Sequence, residues 1–153
     1  MIRTLYRQSH FSQFKTAHSP NFFSPMSRIN SFRAYSDQVS PSKVKEIKDL
    51  TEFKNFVSSP DKLSVIDFYA TWCGPCKALE PIFATLADRI PEVKFGRVDV
   101  DVAEDVALEY GITAMPTCIL LKDGEKIETI VGANPPKLVE LIQKHSGVDL
   151  SKR

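Results

Sequence analysis

The residues best equipped for chemistry are six in a row, Trp72-Cys73-Gly74-Pro75-Cys76-Lys77. Two cysteines three positions apart have two uses: they close a small disulfide, or they supply half of a metal site. An apolar, β-prone run from Leu63 to Ala70 precedes the motif. A helical pattern follows it, with Leu79, Ile82, Phe83, Leu86 and Ile90 on one face. Cys73 therefore falls at a helix start. There, unpaired backbone N–H groups and the positive end of the helix dipole favour thiolate over thiol. Cys76 lies one turn further along the same face, within reach of Cys73, and is expected to be the more buried sulfur. In that arrangement Cys73 attacks a substrate disulfide and Cys76 resolves the mixed disulfide.

The alternative is a zinc or iron–sulfur half-site. Such centres take about four ligands, and the donors are scarce. The third cysteine, Cys118, falls in an apolar strand with no cysteine or histidine beside it, and His145 stands alone on the last helix. We expect no metal, and we expect Cys118 to be an inert core thiol.

The elements that must position the motif follow from the hydrophobic pattern. Val44-Lys45-Glu46-Ile47 is a short strand candidate. Leu50, Phe53, Phe56 and Val57 recur at helical spacing, with Asp49 as N-cap and Pro60 closing the segment. The near-continuous apolar run 63–70 predicts a central strand covered on both faces. The helix after the motif contains Pro81, which removes a backbone donor and predicts a kink. Residues 93–100 alternate like a strand, and Val102, Val106, Leu108 and Tyr110 predict a short helix ended by Gly111. Thr117 to Leu121 reads as a strand, and Asp123-Gly124 turns the chain into Ile127 to Val131. A last helix, with Leu138, Val139, Leu141 and Ile142 on its apolar face, is expected after Pro135-Pro136. The order β-α-β-α-β-α-β-β-α predicts an α/β fold, a central mixed sheet with helices on both faces.

Composition narrows the function classes. With 153 residues, 42% hydrophobic and 25% charged, the chain has the make-up of one ordinary globular domain. Three cysteines do not make a secreted disulfide framework. No apolar run approaches the ~20 residues that span a bilayer, so no membrane association is expected. Residues 1–35 hold Arg3, Arg7, Lys15, Arg28 and Arg33 and no acid, whereas the other 118 residues carry 15 basic and 19 acidic side chains. A body with net charge −4 offers no basic stripe, and no nucleic-acid partner is expected. The first 35 residues are rich in serine and begin with Ile2, Leu5 and Tyr6 on one helical side beside Arg3 and Arg7. That is the pattern of an organellar transit peptide rather than a secretory signal. Arg33-Ala34-Tyr35-Ser36 resembles a mitochondrial processing site, which predicts a presequence over 1–35, a linker over 36–42 and a domain over 43–153. The expected address is the mitochondrial matrix, with chloroplast or cytoplasm as alternatives.

The segment Val65-Ile66-Asp67-Phe68-Tyr69-Ala70-Thr71-Trp72-Cys73-Gly74-Pro75-Cys76-Lys77 resembles the active-site segment of the thioredoxin family. Ala114-Met115-Pro116-Thr117 resembles that family's cis-proline loop, and Val131-Gly132-Ala133 its third substrate-facing loop. The likeness covers roughly residues 43–146. It implies a thioredoxin fold and a monomeric protein-disulfide reductase whose electrons reside in Cys73 and Cys76, with Gly74 and Pro75 between them as in reductive members. It implies no bound cofactor, NADPH acting only indirectly through a flavoprotein thioredoxin reductase, and oxidised proteins such as peroxiredoxins as targets. It assigns Asp67 as the buried acid that shuttles a proton for Cys76. Pro116 would follow a cis peptide and set Met115 against Cys73, and Trp72 would form a lid. Trp72, Ala114, Met115, Gly132 and Ala133 would form the substrate surface. Arg97 stands where many members have lysine; if it reaches Asp67, it should hold that acid more firmly ionised. Two rival readings use the same fold: a binding or scaffold subunit, and a disulfide oxidase or isomerase.

Overall fold

A computed structural model describes residues 43–152. The expected presequence, its processing site and the linker 36–42 lie outside the described residues. The elements are β1 (Val44–Ile47), α1 (Leu50–Val57), β2 (Leu63–Tyr69), α2 (Gly74–Arg89), β3 (Lys94–Asp99), α3 (Glu104–Glu109), β4 (Thr117–Lys122), β5 (Glu125–Val131) and α4 (Pro135–Ser146). A 3-10 turn over Leu150–Lys152 follows. Up to α4 their order is the expected β-α-β-α-β-α-β-β-α.

β2 is buried from Leu63 to Phe68 because it is the middle strand of five, in the order β1-β3-β2-β4-β5. It runs parallel to β3 on one side and antiparallel to β4 on the other. Alternation along the strand sends Leu63, Val65 and Asp67 to one face and Ile66 and Phe68 to the other. α2 and α4 cover the first face, packing Leu79, Phe83, Leu86, Leu138, Leu141 and Ile142 against Val65, Phe95 and Leu120. α1 and α3 cover the second, where Phe53, Val57 and Val106 meet Ile66, Phe68 and Ile119. The sheet thus fixes where the C-terminal end of β2 delivers the chain into α2, and the cysteine motif occupies that corner.

Local chemistry explains the element ends. Asp49 caps α1 by accepting the Glu52 N–H at 2.8 Å. Asp123 and Gly124, both at positive φ, make the tight turn between β4 and β5. α4 begins at Pro135 rather than after the proline pair. Its first turn has no use for the missing N–H groups, and Asn134 caps it by accepting from the Lys137 N–H at 3.1 Å. α2 runs as one helix through Pro81. α3 is shorter than its pattern: Val102 and Leu108 are 67% and 81% exposed, leaving Val106 as its buried anchor. His145 is not isolated, since its Nε2 lies 3.1 Å from Glu128 Oε1 on β5, a carboxylate that also accepts from Lys144.

Gly96 in β3 is required by close approach. A Cβ there would stand 2.8 Å from Ile47 Cδ1 and 2.9 Å from Ile66 Cδ1, both buried. Overpacking of this kind costs ~1–3 kcal/mol, against a gain of ~0.4–1 kcal/mol from restricting the unfolded chain. Gly96→Ala is therefore expected to lower the unfolding free energy by about 1–2 kcal/mol in a urea titration; an unchanged midpoint would contradict this packing.

Candidate active site

Cys73 is the N-cap residue of α2, with extended backbone angles and its side chain accepting from within the first turn. The Cys76 backbone N–H donates to Cys73 Sγ at 3.2 Å. A sulfur thus occupies the place where serine or aspartate oxygens usually cap helices. It meets both an unsatisfied donor and the positive dipole end. Pro75 sits in the same first turn, where its lack of an N–H costs nothing. The Cα atoms of Cys73 and Cys76 are 5.3 Å apart, and the two sulfurs are joined in a disulfide. Both cysteines are buried, Cys76 the more completely, while Gly74 and Pro75 between them are exposed.

Three other segments converge on the pair. Met115, Val100, Tyr69 and Ala70 pack with the two cysteines in one small apolar cluster. The Met115–Pro116 peptide is cis. The Gly132 N–H donates to the Pro116 carbonyl at 2.7 Å, which ties the two loops together, and the Thr117 hydroxyl donates to the Ala114 carbonyl at 2.7 Å within the first of them. Ala114 and Ala133 are exposed, and Gly132 adopts a positive φ that its lack of a Cβ makes easy. Trp72 is two-thirds exposed. Its indole N–H donates to Asp101 Oδ2 at 2.9 Å, so the residues after β3, rather than core packing, set its orientation. A groove of about 350 Å³ opens beside Met115, lined by Val100, Glu104, Ala107, Leu108, Ile112 and Thr113. Among the described residues no group of three or more His, Cys, Asp or Glu is placed to hold a metal ion.

Asp67 is fully buried on the sheet face that α2 covers. Arg97 lies directly across on β3 and donates from Nε to Asp67 Oδ2 at 3.2 Å. Its other donors are shared: Nη1 reaches Glu80 Oε1 at 2.7 Å, and the guanidinium lies 3.9 Å over the Tyr69 ring. Arg97 and Glu80 also line a pocket of about 200 Å³ with Tyr69, Thr71, Cys76 and Lys77. Burial pushes the Asp67 carboxyl from its ordinary 3.8 up to about 6, and Arg97 opposes that rise without cancelling it. The expectation that Arg97 reaches the acid holds, but desolvation outweighs its charge.

The pattern did not single out Glu80, Asp101 or Val100, nor the Cys118–Asp67 contact. Glu80 had one usable signal: it falls one helical turn beyond Cys76 on the same face. Asp101 lies just past the strand, where periodicity says nothing, and Val100 reads only as the last residue of the strand pattern over 93–100. The position of Cys118 across from Asp67 depends on strand register, which the chain order alone does not give.

The Asp67 environment has a measurable consequence. The unfolded chain releases this proton near pH 4 and the folded chain only near 6, so ionisation disfavours the fold across that interval. The stability contribution is intact below about pH 4, is lost as pH rises through about 6, and then levels off. The gap amounts to about 3 kcal/mol at ~1.4 kcal/mol per pH unit. The unfolding free energy of the oxidised protein minus that of Asp67→Asn is expected to fall by about that much between pH 4 and 7. A flat difference would contradict the environment described.

The thioredoxin family model matches residues 43–144. "Thioredoxin-3, mitochondrial" of Saccharomyces cerevisiae is 44% identical over 119 residues, spanning 76% of this chain and 93% of that protein. The crystal structure of oxidised mitochondrial thioredoxin 3 from the same yeast aligns with a TM-score of 0.63 at 46% identity, covering 66% of this chain and 94% of that one. A chain from a structure concerned with thiol resolution in yeast mitochondrial 1-Cys peroxiredoxin via glutathione/thioredoxin systems gives the same TM-score at 44% identity, covering 66% and 94%. The matched range takes in the capped cysteine, the partner sulfur one turn on and the loops beside them, and this chain belongs to the thioredoxin family of protein-disulfide oxidoreductases.

Proposed function

We propose that this chain is a mitochondrial dithiol reductant that passes electrons from a thioredoxin reductase to oxidised proteins, peroxiredoxins among them. The observation that carries the reading is the Cys73–Cys76 disulfide at the head of α2, with Cys73 as the capping residue. The basic, acid-free first 35 residues and the likeness to yeast mitochondrial relatives support the location. The peroxiredoxin named in one neighbour's structure supports the class of target.

In the reduced protein the Cys73 thiolate attacks one sulfur of the target disulfide. A new S–S bond forms to Cys73, and the second target sulfur leaves as a thiolate that takes a proton. Cys76 then gives up its proton, attacks Cys73 Sγ and releases the first target sulfur. The target gains two electrons, its two sulfurs take up one proton that came from Cys76 and one from water, and the Cys73–Cys76 bond is restored. Asp67 accepts the Cys76 proton; a carboxyl that titrates near 6 is suited to exchange it at neutral pH. Trp72, Ala114, Met115, Gly132 and Ala133 present the surface on which the target lies, and the chain acts as a monomer. It needs no bound cofactor, because the two sulfurs carry the electrons and NADPH enters only through the reductase.

The test is reduction of insulin disulfides by the full chain, supplied with NADPH and thioredoxin reductase. Cys73→Ser is expected to bring turnover down to the background of free thiols, and the Cys73→Ser, Cys76→Ser double variant to be no worse, because the two act as a unit. Cys76→Ser should accumulate a mixed disulfide through Cys73, visible by mass spectrometry and released by added dithiol. A double variant that keeps its turnover, or its biological effect, would overturn the reductase reading in favour of a scaffold.

A further inference from the structure

We propose that Cys118 is a positioning residue for the buried acid: its thiol donates to Asp67 Oδ1 and holds the carboxylate on the side away from Arg97. The inference begins with register. Arg97, Asp67 and Cys118 are direct cross-strand partners on β3, β2 and β4, so the three side chains form one row on the sheet face covered by α2. Cys118 Sγ lies 3.8 Å from Asp67 Oδ1, long for an oxygen donor but within the reach of sulfur. Arg97 Nε serves Oδ2. Among the described residues no other donor serves Oδ1.

The surroundings explain why that donor matters. Beyond the row the wall is apolar, built from Val65, Phe95, Leu120 and Leu138. A carboxylate oxygen facing such a wall without a donor bears an uncompensated desolvation cost. The remaining ionisable groups do not help it. Arg97 is drawn outward by Glu80 from α2 and covered by Tyr69, while Lys77 and Cys76 line the pocket beyond. A thiol fits the position better than an aliphatic residue of similar size, since it packs as an apolar group yet offers one weak donor. The thiol itself is held protonated: burial and the neighbouring Asp67 push its ionisation well above the ordinary cysteine range. A donor locked in its protonated form favours the charged state of the acid beside it.

This inference deepens the proposed role of Asp67 as proton acceptor for Cys76, and the experiment separates the two. In full-length protein carrying 13C-labelled aspartate carboxyls, the Asp67 signal is identified by its loss in Asp67→Asn and titrated by NMR. Cys118→Val is expected to raise the Asp67 midpoint by about half a pH unit, less than a full charge-assisted hydrogen bond would give. Cys118→Ala, which relieves any strain from the valine branch, should do the same. Cys118→Ser, which keeps a donor, should return the midpoint to the parent value or below it. The pH profile of insulin-disulfide reduction should move with the midpoint. If the midpoint stays put in both apolar variants, or if serine fails to restore it, Cys118 is a packing residue and the proposal falls. If the midpoint moves and the pH–rate profile does not, the hold of Cys118 on Asp67 stands and the proton-acceptor role of Asp67 falls.

Discussion

The molecule depends on one capping interaction: the sulfur of Cys73 closing the first turn of α2 by accepting the Cys76 N–H. An oxygen in that position serves only stability. A sulfur there couples the helix to a titration, because the donors and dipole that the cap must satisfy are the ones that favour thiolate. The sulfur joined to it in the disulfide sits on the residue whose N–H makes the contact, so one first turn fixes both the cap and the disulfide. This arrangement requires α2 to begin at a fixed point. The central strand β2, held between β3 and β4, supplies that point.

A second constraint runs through the sheet beneath the cysteines. On the α2-facing side of the sheet, Arg97 and Asp67 sit side by side next to the apolar residues Val65, Phe95 and Leu120. A buried charge pair of this sort is not a source of stability, since desolvation competes with the Coulombic gain. Here desolvation prevails, as the raised Asp67 ionisation shows. The fold keeps an ionisable group where a leucine would pack at lower cost. Glu80, exposed on α2 and bonded to Arg97, ties the buried row to the surface beside Cys76.

Much of this could be read from the chain. The apolar run 63–70 and the helical pattern after it located Cys73 at a helix start, and alternation with a final hairpin described the mixed sheet. The misreadings have physical causes. Val102 and Leu108 match a helical face in sequence, but α3 has six residues and buries only Val106, so their spacing carried no packing information. The proline pair at 135–136 reads as a boundary in the chain, whereas a helix accepts prolines in its first turn. His145 has no partner near it in the chain because Glu128 reaches it from β5. Cys118 is the most instructive case. Its apolar setting was legible, but its position against Asp67 follows from the antiparallel register of β2 and β4, which only the folded sheet fixes.

The measurement that bears most directly on the capped sulfur is the pH dependence of Cys73 alkylation in the reduced protein, with Cys76→Ser as background. If the helix start holds the sulfur as thiolate, the alkylation rate should titrate with a midpoint at least a full unit below the ~8.5 of a free cysteine. A midpoint at or above that of a free cysteine would mean that the cap does not favour the anion, and the account built on it would be wrong.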